Sequence, residues 1–568
     1  MPTLCEVLLA NLLTSIAVKV VCRNRSREKI MIKRCISSWC AWIGRLFATE
    51  TAPIQPGQSS QPVERPKRTN PPVEPTLVWY LPAGVLDMPA DNARPIEEFA
   101  RLKGWKELAE RYGGAAKFAP RRAFQGDLAA LRKLESYARA NAERLGIRGY
   151  RPVDLERYFL LSIPDAAQSP SLERYCDLKT GLQKLGGAVY LSMPTRPASA
   201  SDAYLGPAQV APQMGDQSVL GGIGALGLLS RGPLGSTVPA PLTGTGQVVI
   251  DVEFAWHQLM SHCKVLPGPA GASDWESNDP SEIQHGTAVA AIVVGGGVTA
   301  QMSGIAPNAS FFKAPVFVNV GTPGEPILEP SLLSAIVNAG LELERLKLEG
   351  SLLGPGVLLI EQQTGDRRPI ECSPAEFAAI QLVAGNNNVV VLPAGNGARD
   401  LDLVMGLYTD PVTGALLERS LDPDAGGPTS GAIVVAAACS GRGMEEGVGG
   451  ELFPTSNYGK IIDCWAWGDS IATLGLGLDE QGNVALRPHP DGFGETSGAA
   501  AIVAGAVLLM LQMRTAAGQK ALTLPQVREL LRDTTMNTVG APPLLTSKCM
   551  PNLAGMQDKI ENGWPEPT

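Results

Sequence analysis

Two hydrophobic patterns divide this chain near residue 246. Upstream, from about 95 to 146, apolar and charged residues alternate at three- and four-residue spacing, as in DLAALRKLESYARANAERLG, which predicts amphipathic helix. RYFLLSIP (157–164) predicts a strand. SLERYCDLKTGLQKLGG (171–187) predicts a helix ended by paired glycines, and AVYLSMP (188–194) a second strand. Together these read as a small α+β module. Downstream, short and nearly all-apolar runs recur: QVVID, SFFKAPVFV, GVLLIEQQ, NVVVLPA and GAIVVAAA. Helical stretches such as SLLSAIVNAGLELERLKLEG (331–350) and PAEFAAIQLVAGN (374–386) separate several of them. Runs without alternation predict strands buried on both faces, hence an α/β fold with a doubly wound, mostly parallel sheet flanked by helices. In such sheets the reactive site lies beyond the carboxyl ends of the strands.

Composition shifts set the boundaries. Residues 51–80 open with a Pro-, Gln-, Ser- and Thr-rich stretch that predicts an extended linker. Residues 81–200 hold the helical stretch and the α+β module, 201–245 a Gly/Pro/Ala/Ser-rich connector, 246–545 the α/β domain, and 546–568 a tail. Residues 1–50 carry two apolar stretches, Leu4 to Cys22 and Cys35 to Ala48, separated by basic residues. Neither is long and clean enough for a membrane span. Met31-Ile32-Lys33-Arg34 before the second has the form of an export-signal start, so a leader, a start at Met31 and secretion are expected. The formal charge of −8 argues against a nucleic-acid binder. Ten cysteines include no CxxC pair, which argues against a zinc ribbon, and four histidines narrow the search for a base.

Three distant segments each put one polar residue at the edge of an apolar run: VVIDVE (248–253), HGTAVAAIVVG (285–295) and ETSGAAAIVAGAV (495–507). They offer Asp251, His285 and Ser497, the acid, imidazole and hydroxyl of nucleophilic serine catalysis. An Asp after a strand is most often a turn or cap residue. His285 is expected in the first turn of its helix, where the positive helix end lowers its pKa. Ser497 is a nucleophile at a helix start, or simply a cap. Asn396 follows a buried strand between Gly395 and Gly397, which suits an oxyanion-hole donor or an ordinary Asn-Gly turn.

The order Asp, His, Asn, Ser and the residues around it resemble the subtilisin-like serine peptidases. The family's Asp-Ser-Gly or Asp-Thr-Gly stands here as Asp251-Val252-Glu253, its His-Gly-Thr-His-Val-Ala-Gly as His285 to Ala291, and its Gly-Thr-Ser-x-Ala-x-Pro as Glu495 to Ala501. The resemblance covers roughly 245–540, and the module at 152–195 is similar to the inhibitory propeptides of such enzymes. It implies an endopeptidase made as a precursor. Ser497 attacks, His285 moves the proton, Asp251 orients His285, and Asn396 with the Ser497 N–H holds the oxyanion. It also implies protein or peptide substrates, residues 81–200 acting as an intramolecular inhibitor, self-cleavage within 195–245, a monomer, and no cofactor. Calcium is common in the family; no stretch here spells a calcium loop, Asp400 and Asp402 could contribute to one, and the metal is left open. Glu361, in the strand expected beside the S1 pocket, Gly395 in the opposite wall, and Glu495 are the expected substrate-binding residues, the two acids favouring basic or polar side chains. Glu495 replaces a glycine next to the nucleophile, so the alternative is an inactive scaffold with Glu495 blocking the site. A serine esterase is disfavoured because no GxSxG surrounds Ser497. Cys263, Cys372, Cys439, Cys464 and Cys549 are candidates for pairing in an exported protein.

Overall fold

The computed structural model describes residues 76–564 apart from 87–95, 115–117, 148, 151–153, 162–171, 193–194, 198–221, 224, 226–227, 229–240, 267–275, 278, 297–301, 320–327, 442–447, 479–483, 489–492 and 546. The leader and most of the linker and connector lie outside these residues.

The N-terminal module is a four-stranded antiparallel sheet in the order β2-β3-β1-β4. Its strands are β1 (Thr76–Tyr80), β2 (Arg121–Arg122), β3 (Tyr158–Leu161) and β4 (Ala188–Ser192). β1 begins inside the segment read as linker. The Pro-rich composition ends at Pro75, and TLVWY buries Leu77, Val78, Trp79 and Tyr80. Its helices are α1 (Trp105–Arg111), α2 (Leu128–Ala142) and α3 (Leu172–Leu185). The single helical pattern over 95–146 is thus broken, with Gly113 and Gly114 at positive φ after α1. Trp79, Phe99, Trp105, Phe118 and Phe159 form a buried aromatic core of their own, with Trp79 stacked 6.3 Å from Trp105.

After β4, β5 (Arg196–Pro197) leaves the module. The α/β domain follows with β6 (Val248–Glu253), β7 (Lys264–Val265), α4 (Pro280–Val294), β8 (Ser310–Pro315), and a hairpin of β9 (Phe317–Asn319) and β10 (Leu328–Pro330). Next come α5 (Leu332–Leu348), β11 (Val357–Ile360), β12 (Gln362–Gln363), α6 (Pro374–Gly385) and β13 (Val389–Pro393). A hairpin of β14 (Met405–Thr409) and β15 (Leu416–Ser420) precedes β16 (Ile433–Ala438), β17 (Cys464–Trp467) and α7 (Glu495–Ala516). Seven strands form one parallel sheet in the order β17-β16-β13-β11-β6-β8-β7. From β6 the chain crosses to β8 on one side, then returns past β6 to β11. Right-handed crossovers in opposite directions put α4 and α5 on opposite faces. The order reverses between β6 and β11, so the crevice at their carboxyl ends is the expected ligand site.

α7 is long and apolar enough to cross a membrane by length and composition, but its whole apolar window is buried in the body. The module docks on α5 and α6. The Asn386 amide donates to the Leu134 carbonyl (3.1 Å), the Tyr158 hydroxyl to Thr409 Oγ1 (2.8 Å), and the Ser331 and Ser334 hydroxyls to the Ala123 carbonyl (2.9 and 2.8 Å). Leu131, Leu134 and Tyr158 join the same apolar core as Ile336 and Val383. The segment read as a C-terminal tail instead contains a helix, Leu553–Asn562. Leu553, Met556 and Ile560, spaced along one face, are buried there, and Arg514 Nη1 in α7 caps the Ile560 carbonyl at 2.8 Å. Cys263, Cys372, Cys464 and Cys549 are buried free thiols, Cys176 is an exposed one, and Cys439 is buried and in no disulfide with any of them.

Candidate active site

Side chains alternate across a strand, so Asp251 and Glu253 at the end of β6 share one face. Both are fully buried. Glu253, the outermost, meets the histidine: its Oε2 lies 2.5 Å from His285 Nδ1. Its Oε1 accepts from the Phe254 backbone N–H (2.9 Å) and from Gln362 Nε2 (2.9 Å). The imidazole turns its other nitrogen to Ser497, with Nε2 to Oγ at 3.2 Å. The expectation for Asp251 is corrected. Its Oδ2 accepts from Trp256 Nε1 at 2.9 Å, and its Oδ1 has no hydrogen-bond partner. It sits one strand repeat deeper, where the imidazole is occupied by the longer Glu253.

His285 lies in the second turn of α4, not the first. Asp279 caps the helix and Pro280 begins it. The orienting influence on the ring is therefore the Glu253 carboxylate rather than the helix end. Gly286 makes this contact possible. A Cβ there would collide with the Ala255 carbonyl oxygen and lie 2.8 Å from Glu253 Cγ. Only glycine lets α4 settle against the acid strand. Ser497 is in the first turn of α7, as expected, behind the N-cap Gly494.

Asn396 follows β13 and reaches the serine helix. Its Oδ1 accepts from the Thr496 backbone N–H (3.1 Å) and hydroxyl (2.6 Å). Because a backbone N–H can only donate, this fixes the amide orientation, with Nδ2 outermost. Nδ2 donates to Glu495 Oε2 at 2.9 Å. Glu495 Oε1 accepts from Thr455 Oγ1 at 3.0 Å. Gly395, at φ 88, passes so close to the Arg367 carbonyl that a Cβ would lie 2.6 Å from its oxygen. Its need for glycine is thus a backbone packing requirement.

Glu361 follows β11, across the crevice from Glu253. The sequence places it on the open cleft wall; it is instead fully buried, beside Ser497. Burial pushes its carboxyl well above the usual carboxylate range, and the charges of Asp251 and Glu253 push it further, while nearby Ser497 pulls it down. Burial does the same to Asp251, reinforced by Glu253 and opposed by Trp256. Asp251, Glu253 and Glu361 therefore lie within reach of one another's charge, and Asp251 and Glu361 are held towards the neutral form. Asp400 Oδ1 accepts from the Asp402 N–H (3.1 Å) and Asp402 Oδ1 from the Lys460 N–H (2.7 Å). Among the described residues no group of three or more His, Cys, Asp or Glu is placed to hold a metal ion.

A carboxylate, an imidazole and a hydroxyl in hydrogen-bonded sequence at the switch point of a doubly wound sheet are the equipment of a nucleophilic serine hydrolase. Residues 266–555, just over half of the chain, match the subtilase family, and the chain belongs to this family of serine-type peptidases. The match begins beyond Glu253, so the acid strand, where the sequence departs from the family pattern, lies outside it. Among solved structures, the chain is similar to the patellamide maturation protease PatA (19% identity over 56% of this chain and 97% of that one, TM-score 0.34). It is also similar to a cold-adapted subtilisin-like serine proteinase (17%, 60% and 98%, TM-score 0.35) and to a protease from Pseudoalteromonas arctica (18%, 56% and 91%, TM-score 0.34). No curated protein matches it.

Proposed function

We propose that the chain is a serine endopeptidase made as an exported precursor, working through a Glu253-His285-Ser497 triad. The observation that carries this reading is the imidazole of His285 bridging Glu253 Oε2 and Ser497 Oγ. An ionised carboxylate only accepts, so Nδ1 keeps the proton and Nε2 is left to take one from Ser497. Ser497 Oγ then attacks the peptide carbonyl, and His285 passes the proton to the leaving amine. Water hydrolyses the acyl-enzyme by the same route. The Asn396 amide and the Ser497 N–H are the donors for the oxyanion.

The precursor reading is supported by the module docked on α5 and α6, and by the strand that leaves it. β5 pairs antiparallel with β12, Pro197 opposite Gln362 and Arg196 opposite Gln363. β12 directly follows Glu361 at the crevice. A segment paired there lies like an extended peptide on a sheet edge, and the module acts as an intramolecular inhibitor. The second reading, an inactive scaffold, draws on Glu495 occupying the Asn396 amide. Purified precursor separates the two. Self-cleavage and fluorophosphonate labelling that vanish in Ser497→Ala establish the peptidase. An uncleaved chain that ignores the probe establishes the scaffold. N-terminal sequencing of protein recovered from the medium tests export.

A further inference from the structure

The strongest feature outside the triad is the residue two positions before the nucleophile. Glu495 has φ 54, in the left-handed region that a side chain rarely adopts. Its backbone N–H is held by the Gly468 carbonyl at 2.6 Å, so the strained conformation is fixed. That conformation sends the side chain inward, where Oε2 accepts one of the two Asn396 Nδ2 protons at 2.9 Å and Oε1 accepts from Thr455 Oγ1 at 3.0 Å. The Asn396 side-chain oxygen, Oδ1, is meanwhile committed to Thr496. Nδ2 is thus the only end of the amide directed at the site, and a carboxylate sits on it.

We propose that Glu495 is the resting occupant of the oxyanion hole, a side chain that every substrate carbonyl must displace. The inference rests on the peptidase reading above. A carboxylate oxygen on one Nδ2 proton carries the same charge as the oxyanion that forms during acyl transfer, so the two repel each other across a single nitrogen and compete for it. Each turnover therefore requires Glu495 to leave Asn396 and Thr455. The exposed Arg367 extends Nη1 to the Asn396 backbone carbonyl oxygen at 3.4 Å, which puts a cation on the same residue. Selectivity follows from the same contact. Extended, tightly held substrates drive the displacement, whereas short ones bind without gaining the donor.

The test compares wild type with Glu495→Gly, which suits the positive φ, and with Glu495→Gln, which keeps the side-chain volume and removes the charge. Thermal unfolding of each variant verifies folding. Removal of one oxyanion donor lowers kcat by about 10²–10³-fold in a well-formed hole, so freeing a masked donor is expected to raise kcat/KM at least tenfold in Glu495→Gly. The affinity for a peptide boronate, an analogue of the tetrahedral intermediate, should rise in parallel while KM changes little. Glu495→Gln, still able to accept from Asn396, should lie between the two. Equal or lower turnover and boronate affinity in a folded Glu495→Gly would make Glu495 a strut for Asn396 and overturn the proposal. A crystal structure of the mature, ligand-free enzyme with the Glu495 carboxylate turned away from Asn396 would overturn it too. Fluorophosphonate labelling of Ser497 keeps the two failures apart. Labelling in wild type with no gain in Glu495→Gly ends this inference alone. Absence of labelling in both, with Glu495 seen on Asn396, ends the peptidase reading and this inference with it.

Discussion

Glu253 Oε2 lies 2.5 Å from Nδ1 of His285, while Asp251, two residues earlier on the same strand face, is bonded to Trp256 instead. The acid of the site is therefore the last residue of β6. Glu253→Gln, which keeps the shape but admits the wrong imidazole tautomer, is expected to lower kcat by about 10³–10⁴-fold. Asp251→Asn retains an acceptor for the Trp256 indole, and its effect on kcat/KM is expected to stay within about tenfold. Steady-state kinetics on a chromogenic peptide compares them. A larger loss in Asp251→Asn would return the catalytic role to Asp251.

Gly286→Ala tests the packing that delivers the base. The new methyl would meet the Ala255 carbonyl, which cannot swing aside, and the Glu253 side chain. Overpacking of this kind costs about 1–3 kcal/mol. The expected result is a lower midpoint of thermal unfolding and a lower kcat, because α4 and the acid strand are pushed apart. An unchanged melting point with full activity would show that α4 has slack at this position.

Burial holds the Glu361 carboxyl well above its ordinary value of 4.5. In the unfolded chain this group ionises near the ordinary value; in the fold it stays protonated. Below that pH both states are neutral and the group contributes its full share. As pH rises above it, only the unfolded chain gains by ionising, so stability falls until the folded carboxyl itself titrates. Glu361→Gln removes this loss. Its melting point is expected to exceed that of wild type at neutral pH, with the difference shrinking to nothing in acid. A difference independent of pH would mean that Glu361 is ionised in the fold.

Much of this was legible in the chain. The apolar runs QVVID, GVLLIEQQ and GAIVVAAA predict buried parallel strands, and they are β6, β11 and β16. His285 and Ser497 stand out because each borders a run of small residues that must be buried. The acid was misassigned because a family pattern favoured the aspartate. The strand period itself places Asp251 and Glu253 on one face, and the site lies past the strand ends, which favours the outer residue. The roles of Glu361 and Glu495 were not legible. One depends on how deep β11 carries its carboxyl, and the other on a backbone torsion that no pattern of residue types encodes. The helix at Leu553 was legible from its apolar spacing but hidden by a reading of the C terminus as tail.

The pairing of β5 with β12 carries the final prediction, which is where the precursor is cut. Antiparallel pairing aligns Pro197 with Gln362, the residue next to Glu361, whose carboxyl Ser497 acts on. β5 therefore ends one residue short of the level of Glu361, the neighbour of the nucleophile. The first bond cleaved is expected within a few residues after Pro197, at the near end of the 195–245 connector rather than its middle. Mass spectrometry of the products from freshly purified precursor identifies the bond, and the Ser497→Ala precursor should remain whole. Substitution of Pro197 by Asp in the register position opposite Gln362 is expected to slow this first cut while leaving cleavage of an added peptide by mature enzyme unchanged, because the mature chain no longer carries β5. A first cut deep in the connector, unaffected by that substitution, would show that the segment docked on β12 is an anchor and not the substrate.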